Sequence, residues 1–445
     1  MELDVLMNGE LAGTLGYTAA THRYVFRYSP VWLSRKERYA LGPTLPLETG
    51  ADTTEEQHSA AVRQFFENLL PEGQALDDAA STHKLSKGNL MGLLAALGGE
   101  TAGALQLRLP GTVATPVPEA RRPLSHAELS ERIRARPFHP FSVWDGRVRL
   151  SIAGYQDKIA VFEEADGQWA LVEGGHLAST HILKPEPVAA QLAGLTGNEF
   201  FCMRLAHRAK LPVAEVALVR VPEPVLAVKR FDRELSGGRV VRRHIIDGCQ
   251  ALGLSSALKY ERPYGDTRDV RDLREGASLP MLFALLEHCP RPAAERLALL
   301  RWTLFQVLIG NTDAHAKNLS FYAGREGLTL APAYDLVCGF AFDGVQLLDT
   351  TYAMAIGDAF HAQELSPFEW ASFAHACGLP LRQVSIELAR MAKRVAESLP
   401  GTLEDAREAG VAPALVELLH AIVVTECERQ ARMAPEIAKV DPALL

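Results

Sequence analysis

Residues 308–322 read Leu-Ile-Gly-Asn-Thr-Asp-Ala-His-Ala-Lys-Asn-Leu-Ser-Phe-Tyr, an apolar helical run that feeds a short strand through a turn crowded with polar groups. Asp313 and Asn318 stand five residues apart in that turn, and Ala331-Pro332-Ala333-Tyr334-Asp335-Leu336 places a second acid at the end of another expected strand. A proton acceptor, an amide oxygen and a further carboxylate at this spacing suit phosphoryl transfer, where the protein mainly positions groups and neutralises charge. Mg²⁺ takes hard oxygen ligands from one or two side chains and completes its octahedron with phosphate oxygens and water. Asn318 and Asp335 can supply those oxygens, leaving Asp313 to accept a proton from a substrate hydroxyl. The stretch reads as a kinase catalytic loop. A single Asp at a helix-to-strand turn is ordinarily structural, satisfying backbone donors. Three such groups, with a lysine closing an upstream strand, weigh against that. His315 has no second histidine at helical spacing, which argues against a metal-ligand role.

Several elements must hold this turn in place. Leu297, Leu300, Leu304 and Leu308 recur at helical spacing with apolar groups between them, so residues 296–309 are expected as a helix buried nearly all round. Residues 281–287 give another apolar helix, Gly324-Arg325-Glu326-Gly327 turns a hairpin, and residues 366–438 read as several amphipathic helices. At the other end, Asn8-Gly9 supplies the positive φ of a tight turn, so a β-hairpin opens the chain. A third strand over 24–28, helices over 53–70 and 90–97 and a strand over 104–107 complete an α+β unit spanning 1–108. Pro110, Pro116, Pro118 and Pro123 mark 109–125 as an extended linker, after which Ser125 caps a helix through about Ile133. Strands over 147–152 and 158–162 are expected to pair, a strand over 180–184 ends in Lys184, and a helix opens at Asn198 with Glu199 in its first turn. Strands over 213–221 and 226–232 follow. The loop 153–157 carries one glycine and taken alone reads as an ordinary hairpin loop, although small residues there also let backbone N–H groups approach a phosphate. Residues 126–235 thus form a small sheet with one helix, and 236–445 turn helical.

Composition bounds the function. The chain has 445 residues, 48% hydrophobic and 22% charged, as expected of a globular protein with two or three domains. No apolar run approaches the ~20 residues of a membrane span. The acidic start, Met1-Glu2-Leu3-Asp4-Val5, is unlike a secretory signal, so a cytoplasmic location is expected. Cys202, Cys249, Cys289, Cys338, Cys377 and Cys427 form no CxxC pair and read as reduced, buried thiols. A net charge of −8 excludes a whole-surface nucleic-acid binder. The short basic clusters Arg230/Arg233 and Arg239/Arg242/Arg243 read as solvated surface, without excluding a DNA contact made within a complex.

Three blocks, Ser151-Ile152-Ala153-Gly154-Tyr155-Gln156-Asp157-Lys158, the stretch from Gly310 to Asn318, and Tyr334-Asp335-Leu336, resemble the signature blocks of HipA-family toxin kinases. Residues 40–47 and 65–73 resemble that family's N-terminal subdomain, and the likeness covers nearly the whole chain. It implies an α+β, protein-kinase-like bilobal fold: an added N-terminal subdomain over 1–108, a β-rich N-lobe with the ATP loop over 126–235, and a helical C-lobe over 236–445. It implies ATP and Mg as cofactors, with Asp313 as catalytic base and Asn318 and Asp335 holding Mg²⁺. Lys184 would contact the α/β-phosphates, Ala153, Gly154, Tyr155, Gln156, Asp157 and Lys158 would form the ATP loop, and Lys229, Arg230 and Phe231 the hinge. His315, Ala316, Lys317 and Asn318 would lie close to the nucleotide. Glu199 is added on its spacing: an acid 15 residues beyond Lys184 can orient that lysine, with a surface helix cap as the alternative. Ser151 occupies the family's autophosphorylation position, and a phosphate there would add about −1.5 to −2 charges beside the nucleotide and switch the enzyme off.

The chain lacks GxGxxG, a His-Arg before Asp313 and a glycine after Asp335-Leu336, which separates it from eukaryotic-type kinases. Three function classes follow. The first is a serine/threonine protein kinase toxin, for which the resemblance implies an aminoacyl-tRNA synthetase target such as glutamyl-tRNA synthetase. The same resemblance implies a helix-turn-helix antitoxin dimer that binds operator DNA as partner. The second is a small-molecule kinase, and the third a corepressor with a vestigial kinase site.

Overall fold

Asn8 and Gly9 take φ of +50° and +85° and close the opening hairpin between Glu2–Met7 and Glu10–Thr18. The computed structural model describes residues 1–111, 119–148, 156–174, 177–342 and 351–445. Ser151, Ala153, Gly154 and Tyr155 lie outside the described residues. The chain divides into two units: Met1–Pro185 with Val219–Ser256 and Phe321–Gly327, and Glu186–Leu218 with Ala257–Ser320 and Leu328–Leu445.

The two largest sheets, of four and six strands, lie chiefly in the first unit. The hairpin belongs to a four-stranded sheet in the order Arg23–Tyr28, Glu10–Thr18, Glu2–Met7, Leu105–Arg108. The helix Glu55–Glu67 packs on it, its start fixed by a capping box in which Thr54 and Gln57 satisfy each other's backbone N–H. Val62, Phe65 and Phe66 are its buried apolar residues, and the Phe66 ring lies 5.6 Å from Phe26. Pro71 and Glu72 do stop that helix, but another, Gly73–Thr82, starts at once where only a break is expected from the sequence.

A six-stranded sheet follows, with His181–Pro185 in its interior between Ile159–Glu163 and Pro224–Lys229. One expectation is corrected here. Residues 120–124 of the expected linker form a strand, Ala120–Leu124, paired with Trp169–Glu173. It is an edge strand, where the N–H that Pro123 lacks is not needed by a second neighbour. The expected pairing of 147–152 with 158–162 falls mostly on residues 149–152, outside the described residues. Arg147–Val148 pairs with Val143–Trp144, and Ile159–Glu163 pairs with His181–Pro185 and Trp169–Glu173.

The basic clusters are not solvated surface. Arg230, Arg233 and Arg242 are buried, and only Arg239 and Arg243 are exposed. Arg230 grips Asp232 through Nε at 3.0 Å and a terminal nitrogen at 2.7 Å, and reaches Glu100 at 3.1 Å. Arg233 contacts the same two acids at 2.7 and 3.0 Å, and Arg242 meets Glu100 at 2.9 Å. Partial burial alone would raise the Glu100 carboxyl, but Arg242, Arg233 and Arg230 outweigh it and hold it at about 2. The cluster ties residues 100–103 to the strands that follow residue 224.

His244 sits close by, buried, donating from Nε2 to Leu41 O at 2.8 Å. Burial pushes its pKa down to about 4 from the usual 6.5. The unfolded chain therefore binds a proton that the folded chain refuses between pH 6.5 and 4. Stability is full above pH 6.5 and falls as pH drops through that window. Going from pH 7 to pH 5, His244 alone should cost about 2 kcal/mol. Urea midpoints at the two pH values should show a smaller acid loss for His244→Asn than for the native chain; equal losses would refute this.

The second unit is helical, with Leu195–Arg208, Leu279–Leu285, Pro292–Leu308, Pro367–Ala376, Leu381–Glu408 and Pro413–Ile437. Pro292–Leu308 is buried around most of its circumference, as its leucine spacing predicts. The tail forms three helices, locked by Trp370, which is fully buried and donates to Gln430 Oε1 at 2.9 Å. No described helix is long and apolar enough to cross a membrane. All six cysteines are free and buried.

Candidate active site

The helix Pro292–Leu308 ends at Ile309, and Gly310 reverses the chain with φ +64°. A Cβ at Gly310 would fall 2.5 Å from the Phe340 ring, so both conformation and space require glycine. The turn is then held by its own polar groups. Asn311 donates from Nδ2 to Gln306 Oε1 at 2.8 Å, and its Oδ1 accepts from the Asp313 N–H at 2.9 Å. Asn318 donates from Nδ2 to Asp313 O at 2.7 Å. That bond fixes the amide orientation and leaves Asn318 Oδ1 as the atom that can serve a cation.

The Asp313 carboxylate stays accessible, its side chain 40% exposed, while Asn311, His315, Lys317 and Asn318 around it are buried. Tyr260 donates to Asp313 Oδ1 at 2.6 Å. His315 Nε2 is 3.9 Å from the same oxygen, beyond hydrogen-bond range. Burial, with Lys259 beside it and only partly opposed by Asp335, pushes His315 down to about 3, so its imidazole is neutral and forms no ion pair with Asp313. A short 3₁₀ turn, Ala316–Asn318, leads into the strand Ser320–Gly324.

Asp335 reaches the same loop through its neighbours. Ala333 pairs in parallel with Val213, and Tyr334 OH bonds both Lys317 O and Ser320 Oγ at 2.7 Å. Asp335 takes φ +57°, a left-handed conformation in which Asp is several-fold enriched over other side chains. Beyond it, the buried Asn198 brackets Cys338, accepting from its N–H at 2.7 Å and donating to its carbonyl at 3.0 Å. The donor set of one amide oxygen and one carboxylate is the hard-oxygen chemistry that fits Mg²⁺.

Of the other expected residues, Lys184 is buried at 7% exposure in an interior strand and Lys158 at 6%. Gln156 donates to Pro185 O at 3.1 Å, and Asp157 pairs with Arg136 at 3.3 Å. Lys229 is exposed. Phe231 stands edge-on to Tyr322, whose hydroxyl bonds the Phe231 carbonyl at 3.2 Å. The Arg230 side chain is spent on the buried acid cluster, leaving its backbone as the part able to serve a hinge. Glu199 departs from expectation. Its helix starts at Leu195, three residues earlier than the sequence suggests, so Glu199 lies in the second turn and is 1% exposed. A surface cap is therefore excluded.

Sequence reasoning missed Tyr260, Asn198 and Gln306. Tyr260 acts across 53 residues, and no local pattern marks it. Asn198 and Gln306 had a signal, an amide side chain within an otherwise apolar buried helix.

A helix-to-strand turn presenting an accessible carboxylate, an oriented amide oxygen and a second acid is the arrangement of a kinase-type phosphotransferase. The model of the HipA N-terminal domain matches residues 3–108, and that of the HipA-like C-terminal domain residues 150–399. The serine/threonine-protein kinase toxin HipA of Shewanella oneidensis is 37% identical over 403 residues, covering 90% of this chain and 88% of that protein. The putative kinase Y4mE of Sinorhizobium fredii is 35% identical over 412 residues, covering 91% and 92%. A chain in the solved Shewanella complex of HipA, HipB and operator DNA matches with a TM-score of 0.86 at 34% identity, over 99% of this chain and 100% of that one. This chain belongs to the HipA family, has that family's mixed α/β kinase-like fold, and is a kinase.

Proposed function

We propose that this chain is a Mg–ATP-dependent serine/threonine protein kinase acting as the toxin of a toxin–antitoxin pair. The observation that carries the reading is the accessible Asp313 carboxylate, its loop locked by the Asn318 amide at 2.7 Å. In this reading the substrate hydroxyl oxygen bonds the γ-phosphorus of ATP, its proton passes to Asp313, and the bond to the bridging oxygen breaks to leave ADP. Asn318 and Asp335 hold Mg²⁺, which neutralises phosphate charge when bound. Lys184 contacts the α/β-phosphates, and the loop from Ala153 to Lys158 and the hinge at Lys229, Arg230 and Phe231 serve the nucleotide, with Glu199 as an orienting acid. His315, held neutral, and its neighbours Ala316 and Lys317 complete the nucleotide side of the loop.

The toxin role, an antitoxin partner and operator DNA are supported by the Shewanella relative and its complex with HipB and DNA, and the proposed antitoxin is a helix-turn-helix dimer. An aminoacyl-tRNA synthetase such as glutamyl-tRNA synthetase is the proposed substrate, phosphorylated in the cytoplasm. Phosphorylation of Ser151 is the proposed off-switch, because its charge would repel the ATP phosphates. Intact mass after incubation with Mg–ATP should rise by one phosphoryl group that maps to Ser151, and Ser151→Ala should gain none. The Ser151→Ala chain should then phosphorylate purified glutamyl-tRNA synthetase for longer than the native chain does. Phosphate appearing on a sugar or aminoglycoside, and on no protein, would replace this reading with a small-molecule kinase.

A further inference from the structure

Tyr260 donates its phenolic hydrogen to Asp313 Oδ1 at 2.6 Å, a short, charge-assisted geometry. The ring is fixed as well as the hydroxyl. It stands edge-on to His315, centroids 5.0 Å apart at 87°, and the Lys259 ammonium lies 5.4 Å from its centroid. The backbone on either side is clamped within the same unit. The Ala316 N–H of the catalytic turn donates to Lys259 O at 3.1 Å, and the Glu261 N–H donates to Ala353 O at 2.9 Å. Glu261, 2% exposed, accepts from Arg274 Nε at 2.7 Å and from the Ala355 N–H at 2.8 Å. Behind the segment, Gly276 lies so close that a Cβ there would fall 1.7 Å from Tyr260 O. Backbone bonds on both sides and the close approach of Gly276 behind fix the segment that carries Tyr260.

We propose that Tyr260 is a positioning residue for phosphoryl transfer, holding Asp313 so that Oδ2 faces the incoming substrate hydroxyl. The inference rests on the reading of Asp313 as proton acceptor and deepens it. A half-exposed carboxylate otherwise swings about χ1 and χ2, and only a fraction of its conformers accepts the proton in line with attack. Anchoring Oδ1 from a rigid neighbour removes that search, and positioning of this kind is worth large factors in rate. The proton transferred from the hydroxyl arrives on Oδ2 and the phenol keeps its own, so Tyr260 exchanges no proton.

Tyr260→Phe keeps the ring against His315 and deletes only the hydroxyl. Turnover of the full chain is read as ADP release from Mg–ATP, which counts transfer to any acceptor, water included. Loss of a hydrogen bond to a charged group should lower kcat about 10- to 100-fold in Tyr260→Phe. ATP affinity, measured by fluorescent-nucleotide displacement, and the thermal midpoint should stay at native values, which separates positioning from a structural role. Parallel loss of kcat and ATP affinity would overturn the inference by assigning Tyr260 to the architecture of the loop. Native kcat in Tyr260→Phe beside an inactive Asp313→Asn would overturn it while leaving Asp313 as proton acceptor. An active Asp313→Asn would overturn the underlying reading itself.

Discussion

Asp313→Asn should slow phosphoryl transfer about 10²- to 10⁴-fold while ATP binding persists, because removing a positioned acid–base group costs that range. The substitution is chosen for what it keeps. The Asn311 bond to the backbone N–H of residue 313 and the Asn318 bond to its carbonyl both involve main-chain atoms, so the turn retains its shape. An asparagine Oδ1 can still accept from Tyr260. What disappears is an oxygen able to take up a proton at the place where the substrate hydroxyl loses one. A thousandfold loss corresponds to about 4 kcal/mol of transition-state stabilisation. Single-turnover ADP formation at saturating Mg–ATP measures the chemical step, and nucleotide displacement measures binding. If the rate stays within about tenfold of native, Asp313 is not the proton acceptor, because that is below what general-base removal costs. The neutral His315 nearby is then no ready substitute, since its Nε2 faces the same carboxylate oxygen from 3.9 Å.

The candidate turn was legible as a polar helix-to-strand turn because its contacts are local. Asp313, Asn318 and the Gly310 reversal lie within nine residues, and the flanking helix advertises itself by its leucines. The Asn8-Gly9 hairpin and the helix Leu90–Leu97 were legible for the same reason, each specified by its own residues. What the sequence concealed was action at long separation. Arg230 finds Glu100 across 130 residues and Tyr260 finds Asp313 across 53, and nothing nearby in the chain announces either partner. Arginines flanked by other charges read as surface until a buried acid supplied from elsewhere changes the reading. The start of the helix Leu195–Arg208 was misplaced because no Ser, Thr or Asp caps it; Gly194 at φ +91° does so by conformation alone. Ala120–Leu124 was hidden by prolines that its edge position tolerates.

Those distant partners make the second large effect one of stability. Asp232 is 4% exposed and accepts from Arg230 twice, from Arg233 at 2.7 Å and from the Gly103 N–H at 2.7 Å. Burial alone would raise its pKa, but Arg230 and Arg233 hold it well below the usual carboxylate range. Asp232→Asn preserves the volume and removes the charge. Three buried guanidinium groups would then face Glu100 alone, and the new amide N–H₂ would point a donor at donors. Breaking a buried pair from one side costs about 3–5 kcal/mol, because the remaining charge stays desolvated. That is a large share of the ~5–15 kcal/mol that holds a typical domain. The cluster also joins residues 100–103 of the matched N-terminal domain to residues 230–242 of the C-terminal one, so the loss should appear as one transition. Calorimetry should show the unfolding of the β-rich unit shifted down, with proteolysis opening both family domains together. An exposed pair supplies the contrast. Glu436→Gln, which breaks the Lys439 contact at 2.7 Å, should cost about 1 kcal/mol or less. If Asp232→Asn proves no worse than Glu436→Gln, the cluster is a tolerated passenger of the fold. If it unfolds the N-terminal sheet first, the first 108 residues depend on these arginines for their place beside the kinase strands.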